Sequence, residues 1–252
     1  MFSGLTEKLG LATAQRLSSV PDGIRVYAIG DIHGRLDLLT RMMRLIADNL
    51  ATSPDCVAQC VLLGDYIDRG PQSAAVLELL SGGHFPMPLT ALRGNHEQML
   101  LNFLDDATSM EFWRSYGGIE TVHSFGIDPK KARDPQYFEE VRQQLKGALP
   151  ATSVRFLEQT TFRCTIGDYF FCHAGVRPGV PLAAQRDEDL ISMRQTFTGS
   201  RVEHGKIVVH GHTPVEQPEV HVNRINIDTG AYITGTLTCL VLEATTRRFL
   251  ST

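Results

Sequence analysis

Cysteine is scarce in this chain, and the five present (Cys56, Cys60, Cys164, Cys172, Cys239) form neither a CxxC pair nor a regular spacing. That excludes a disulfide framework and a thiolate zinc site; an odd, sparse set reads as reduced thiols. Long apolar runs are missing as well, since no stretch approaches the roughly 20 residues that cross a bilayer. The first twenty residues carry Glu7, Lys8 and Arg16 without an unbroken apolar segment, so they do not read as a secretory signal. A cytoplasmic protein is the expectation. Charge of one sign is also lacking: 24 Lys and Arg stand against 28 Asp and Glu, a net charge of -4. Such a balance argues against a broad basic face for nucleic acid or membrane, while leaving room for a local anion site. No repeat or low-complexity linker interrupts the chain.

What is present is an alternation of β-rich and helical segments. The run IRVYAI stops at Gly30, after which Leu39, Met42, Met43, Ile46 and Leu50 recur at helical spacing. VLLG, the QSAAVLELL helix, PLTALRG and a helix through HEQMLLNFL follow, which predicts βαβ units and a mainly parallel sheet in an α/β fold. Residues 105–159 differ, containing FWRSYGG, TVHSFG and the helices FEEVRQQLKGAL and SVRFLEQ. They read as a helical insert or cap on the core. Trp113 and Tyr116 beside Gly117-Gly118 stand either at the edge of that cap or in its packing against the core. Strands resume at TTFRCTI, YFFC, KIVVH, VHVNRINID and TLTCLVLEA. Residues 1–252 are expected to form one domain, with 1–22 as an N-terminal extension that packs locally or docks on a partner.

Five polar clusters each follow a predicted strand: GDIHG (30–34), GDYIDRG (64–70), RGNHE (93–97), CHAG (172–175) and HGHTP (210–214). Each has an ordinary explanation. Asp65 and Asp68 suit a turn, Asn95 suits a helix cap, and His173 suits a hydrogen-bonded core position. Five such accidents at five strand ends are harder to accept, because the carboxyl ends of strands in open α/β sheets border the ligand crevice. Mixed carboxylate, amide and imidazole donors suit Mn²⁺, Fe or Zn²⁺. A carboxylate shared by two such ions would hold them roughly 3.5–4 Å apart, the spacing used for displacement at phosphorus.

The signatures GDIHG, GDYIDRG and GNHE, in this order, resemble the phosphoprotein phosphatase (PPP) family of metallophosphoesterases, in its bacterial and phage branch. The likeness extends to ALRGNHEQML, HGHTP and INIDTGAYITGTLTCLVLE, and so from about Val26 to about Leu242. It implies the calcineurin-like metallophosphoesterase fold, central β-sheets flanked by helices with a helical insert. It also implies two divalent metal ions, Mn²⁺ first, with Asp31 and His33 on one ion, Asp65 bridging, and Asn95, His173 and His212 on the other. His212 is chosen over His210 because the family's ligand directly follows the glycine. His96 would be the general acid oriented by Asp68, and Arg69 and Arg194 would grip the phosphate; Ser192 stands where an aromatic residue often precedes that second arginine. The implied reaction is hydrolysis of phosphoserine and phosphothreonine monoesters, with phosphotyrosine as a further candidate, by hydroxide generated between the metals, on a phosphorylated protein or small phosphoester.

Two other functions compete. Symmetrical diadenosine tetraphosphate hydrolases share GDIHG and HAG, but their second signature usually lacks the second Asp and their third tends to end in Asp. Asp68 and Glu97 therefore favour the phosphatase. A non-catalytic binding module would be expected to have lost ligands or the acid, and this chain retains all of them.

Overall fold

A computed structural model describes residues 18–52, 56–83 and 85–252. The expectations for the N-terminal extension fall mainly on residues 1–17, outside the described residues. Strand β1 (Ile24–Ile29), helix α1 (Leu36–Ala51), strand β2 (Val57–Leu62), helix α2 (Ser73–Ser81) and strand β3 (Leu89–Ala91) build two βαβ units. The three strands pair in parallel, as the alternating pattern predicts. Strands β4 (Arg163–Ile166), β5 (Tyr169–Cys172), β6 (Ile207–His210), β7 (Glu219–Val220), β8 (Arg224–Asn226), β9 (Thr238–Glu243) and β10 (Thr246–Ser251) complete the sheets.

Two five-stranded sheets result, ordered β10-β9-β1-β2-β3 and β4-β5-β6-β8-β7. They are mixed, not mainly parallel: β9 pairs antiparallel with both β1 and the edge strand β10, and β4 and β7 pair antiparallel on the edges of the other sheet. The reason is connection length. Two residues separate β4 from β5 and two separate β9 from β10, enough for a hairpin and far too few for a parallel crossover.

Period-two alternation divides the apolar residues between layers. Val26 and Ala28 of β1, with Leu240 and Leu242 of β9, meet Tyr169, Phe171, Val209 and Ile225 between the sheets. Their strand neighbours Tyr27, Ile29, Cys239 and Val241 face the other way, onto Leu39, Met42 and Ile46 of α1. Phe170, Cys172 and Val208 cover the far side of the second sheet against Leu190 and Phe197. Each fully buried large apolar side chain contributes about 1.5–3 kcal/mol, so these layers clamp both sheets firmly at the edge where the polar loops emerge.

Helix α3 (Asn95–Asp105) leads into the insert, whose principal helices are α4 (Met110–Trp113), α5 (Gly118–Ser124), α6 (Phe138–Ala148) and α7 (Ala151–Gln159). Here α6 packs on α3, while α5 and α7 pack on α2. Trp113, Val122, Phe138, Val141, Leu145 and Leu157 are buried in the same cluster as α1 and the first sheet. The insert is thus an extension of the helical layer. Among the described residues, no helix is long and apolar enough to cross a membrane.

Candidate active site

Because β1, β2 and β3 are parallel, the loops after them leave from one edge, and the loops after parallel β5, β6 and β8 leave from the second sheet at the same site. Backbone bonds tie the loops together: Ile32 and His33 donate to the Asp65 carbonyl at 3.0 and 2.8 Å, and Gly211 donates to the His173 carbonyl at 2.7 Å. The His212 N–H donates to Asp31 Oδ2 at 3.1 Å, which ties one sheet to the other.

Asp65 is the hub. Its Oδ2 lies 3.6 Å from His33 Nε2, 3.4 Å from His173 Nε2 and 3.7 Å from His96 Nε2. Two groups of donor atoms share it, His33–Asp65–His96 and Asp65–His173–His212, each with all atoms within 4.8 Å of one another. Asn95 Oδ1 and His212 Nδ1 both stand 3.1 Å from His173 Nε2. Asn95 is the first residue of α3 and Gly94 its cap, so Asn95 does not stand in the capping position its sequence context suggested, and its Oδ1 meets His173. The imidazoles are aimed from behind. His33 Nδ1 meets the Ile67 carbonyl and His173 Nδ1 the Leu63 carbonyl, each at 2.9 Å, which leaves both Nε2 atoms facing Asp65.

Local backbone strain concentrates here. Of the six described non-glycine residues with positive φ, five are His33, Asp65, Asp68, Arg69 and His212. The left-handed region costs an ordinary residue on the order of 1–2 kcal/mol, and it persists only where surrounding structure over-determines it. Gly94 shows how tight the packing is, since a Cβ there would stand 2.0 Å from Asp65 Oδ1.

Glu97 supplies much of that determination. Buried within the first turn of α3, it accepts the N–H groups of Asp65 (2.8 Å), Tyr66 (2.7 Å) and Gly94 (2.9 Å). Burial and the Asp65 charge push its carboxyl up to about 7. Glu97→Ala would strand three buried donors at about 1–3 kcal/mol each. Thermal melting should show a Tm lower by roughly 6 °C or more for a chain of this size; an unchanged Tm would rule out the latch.

His96 and Asp68 form a close buried pair. Nδ1 of His96 is 2.6 Å from Asp68 Oδ2. Burial opposes the imidazolium, but the charges of Asp65 and Asp68 and this hydrogen bond outweigh it, so the His96 pKa lies above its ordinary value. Asp68 is itself held from the insert: Trp113 Nε1 donates to Oδ2 at 2.7 Å and Thr121 Oγ1 to Oδ1 at 2.6 Å. Trp113 therefore both packs the insert and reaches the site; sequence reasoning offered only its packing or a place at the cap edge. Gly117, at φ 102, permits this approach, since a Cβ there would be 2.5 Å from the Arg69 nitrogen.

Arg69 Nη2 sits 3.3 Å from His96 Nε2, and its guanidinium lies 4.6 Å over the Tyr232 ring. Tyr232 also meets His33 edge-on at 5.1 Å. Nothing in the sequence argument gave Tyr232 or Asp228 a role, although both lie in INIDTGAYITG, a stretch noticed only for its resemblance. Asp228 is buried and accepts the Gly230 N–H at 2.9 Å, which fixes the turn that carries Tyr232. Arg194 is exposed and outside the packed cluster, and its charge reaches His212. His210 ends β6 pointing away, edge-on to Phe197 at 5.1 Å.

The titration of the cluster follows from crowding. Burial drives His33 down to about 3 and, with the neighbouring His173, drives His212 down to about 2. Burial acts the same way on His173, but Asp65 overrides it and raises that imidazole to about 10. Asp65 stays well below the usual carboxylate range despite burial, through His173, His96 and His33. Burial and Asp228 hold Asp31 well above that range. Buried Asp31 Oδ1 and His212 Nε2 find no hydrogen-bond partner. Orphaned donor atoms, neutral imidazoles and charged oxygens packed together fit divalent cations, with donors of the borderline-to-hard kind.

A fold of two mixed sheets flanked by helices, with paired carboxylate–imidazole groups where the sheets meet, defines a metallophosphoesterase, a hydrolase of phosphate esters. Residues 24–236 match the family described as Calcineurin-like phosphoesterase, and the chain belongs to it. It is 29% identical over 218 residues to Serine/threonine-protein phosphatase 1 of Salmonella typhimurium, covering 84% of this chain and 89% of that one. It is 24% identical over 231 residues to the asymmetrical bis(5'-nucleosyl)-tetraphosphatase PrpE of Anoxybacillus flavithermus, covering 84% and 88%. That relative is of the asymmetrical kind, whereas the rival weighed from the sequence was the symmetrical kind. A solved chain provisionally assigned as a diadenosine tetraphosphatase superposes with a TM-score of 0.63 at 18% identity, covering 94% of this chain and 98% of that one, and so shares the fold.

Proposed function

We propose that the chain is a phosphoprotein phosphatase of the bacterial and phage PPP type that hydrolyses phosphoserine and phosphothreonine monoesters. The observation that carries this reading is the buried His96–Asp68 pair, 2.6 Å apart, with His96 Nε2 turned toward Asp65. An alkoxide from serine leaves poorly, so its hydrolysis calls for an acid at that position.

Asp31, His33 and Asp65 would hold one divalent cation, and Asp65, Asn95, His173 and His212 a second, Mn²⁺ being the first choice for such donors. Cations bound there supply Lewis acidity, neutralising phosphoryl charge and making water acidic enough to act as nucleophile near neutral pH. The remaining work belongs to side chains. Arg69, anchored on Tyr232, places its guanidinium beside the acid, where it balances charge on the phosphoryl oxygens. Arg194 closes the same phosphate from the His212 side. His96 keeps its proton on Nε2 through Asp65 and Asp68 and delivers it to the departing oxygen. The cytoplasm is the proposed setting, in keeping with a sparse, odd set of cysteines that suits a reducing compartment.

Dinucleotide cleavage is the second reading, favoured by the resemblance to PrpE. The deciding assay uses metal-stripped protein reloaded with Mn²⁺. Phosphoserine, phosphothreonine and phosphotyrosine peptides are compared with diadenosine tetraphosphate by kcat/KM. The peptides should be preferred; a clear preference for the dinucleotide would replace the phosphatase reading.

A further inference from the structure

The insert encloses Asp68 more completely than its bond to His96 requires. The carboxylate is fully buried, and three donors fall on its two oxygens. Oδ2 takes His96 Nδ1 at 2.6 Å and Trp113 Nε1 at 2.7 Å, while Oδ1 takes the Thr121 hydroxyl at 2.6 Å. The same hydroxyl accepts the Asp68 N–H at 2.9 Å, beside Ser73 Oγ at 3.0 Å. One residue further on, the Arg69 N–H donates to the Gly117 carbonyl at 3.3 Å. Asp68 and Arg69 are consecutive and both left-handed, at φ 71 and 66. Two such residues keep that conformation only where neighbours hold it. A single stretch of the insert, from Trp113 to Thr121, bonds to both.

Packing alone does not account for these bonds. The Trp113 ring lies against Phe103, 5.2 Å between centroids, and that contact buries it. A buried indole N–H and a buried threonine hydroxyl each need an acceptor, and a nearby backbone carbonyl would satisfy either one. Both instead reach the same carboxylate, from α4 and α5 on the two sides of Gly117. The last torsion of an aspartate is broad and two-fold, so packing sets it poorly. Hydrogen bonds to both oxygens set it well. With Oδ1 on Thr121 and Oδ2 shared by Trp113 and His96, the imidazole is held with Nε2 toward Asp65.

We infer that Trp113 and Thr121 are positioning residues for the acid: through Asp68 the insert fixes His96, and so sets how well the enzyme expels an alkoxide relative to an activated aryl oxide. The inference rests on the phosphatase reading, in which His96 protonates the departing oxygen. Both residues are fully buried, so they meet no substrate and act only through Asp68.

The test measures kcat of the Mn²⁺-loaded full chain on a phosphoserine peptide and on p-nitrophenyl phosphate. Trp113→Phe keeps an aromatic ring and removes the N–H. Thr121→Val keeps the shape and removes the hydroxyl, while Ser73 still accepts the Asp68 N–H. Each should lower the ratio of phosphoserine to p-nitrophenyl phosphate turnover by about tenfold, the order of one hydrogen bond to a charged group. Manganese content should hold, and Thr121→Ser should restore the ratio. In an Asp68→Asn background neither substitution should lower the ratio further, whereas a residue that merely packs the insert would lower both substrates together and add to Asp68→Asn. Thr121→Val, the smaller change, decides the matter where Trp113→Phe does not fold. An unchanged ratio, or equal losses on both substrates, overturns the inference. His96→Asn run in parallel tests the reading beneath it: equal losses there remove the acid itself, whereas a ratio that falls for His96→Asn alone removes only the positioning role.

Discussion

Asp65→Asn should abolish binding of the metal pair and lower kcat/KM by about 10³-fold or more, because several kcal/mol of transition-state charge stabilisation goes with the cations. The substitution is chosen to spare the fold. Asp65 sits at φ 54, and asparagine is among the few residues that accept that conformation readily. The amide keeps an oxygen of the same shape to accept the His96 N–H, now made at 3.2 Å. What it removes is the negative charge that lies within 3.7 Å of three imidazoles. Calorimetric titration with Mn²⁺ and metal analysis after dialysis read this directly, without recourse to turnover. A variant that retains two ions at wild-type affinity would show that Asp65 is not the shared ligand.

The second large effect concerns the proposed acid, His96. His96→Asn should lower kcat on a phosphoserine peptide by about 10²–10⁴-fold, the usual worth of general acid–base catalysis. The loss should be much smaller on p-nitrophenyl phosphate, whose leaving group departs without a proton. Metal content should hold, since Asp31, His33, Asp65, Asn95, His173 and His212 are all intact. The Asp68 carboxylate keeps its bonds to Trp113 and Thr121, which limits any structural collapse. Equal losses on both substrates would remove His96 from proton transfer and leave it a purely electrostatic part.

The two variants separate what a shared geometry otherwise entangles. Asp65 and His96 are in contact, so their effects on turnover will not add. Metal stoichiometry distinguishes the first, and leaving-group dependence the second.

Much of this was legible before any tertiary structure. The strands in IRVYAI, VLLG, YFFC and KIVVH end where glycine and polar residues interrupt apolar runs, because strand termination is a local property. The helical face of Leu39, Met42 and Ile46 is likewise buried as its spacing predicts. The polar clusters could be expected at one edge because parallel strands must all end on the same side. Their division between two sheets could not be read, because which strands pair depends on contacts across the chain; short hairpins placed antiparallel strands on the sheet edges.

By itself the sequence determined the kinds of donor available, their placement after strands and the membership of the chain in a phosphoesterase class, all consequences of residue type and short-range spacing. The resemblance already implied His212 in preference to His210; tertiary structure added that His212 shares a donor group with Asp65 while His210 lies edge-on to Phe197. It alone brought Trp113 and Thr121, 45 and 53 positions away, onto the two oxygens of Asp68, and set Tyr232 against Arg69. The physical reason is the same in each case: spacing governs neighbours within a strand or a turn, whereas partners distant along the chain meet only where packed layers carry them.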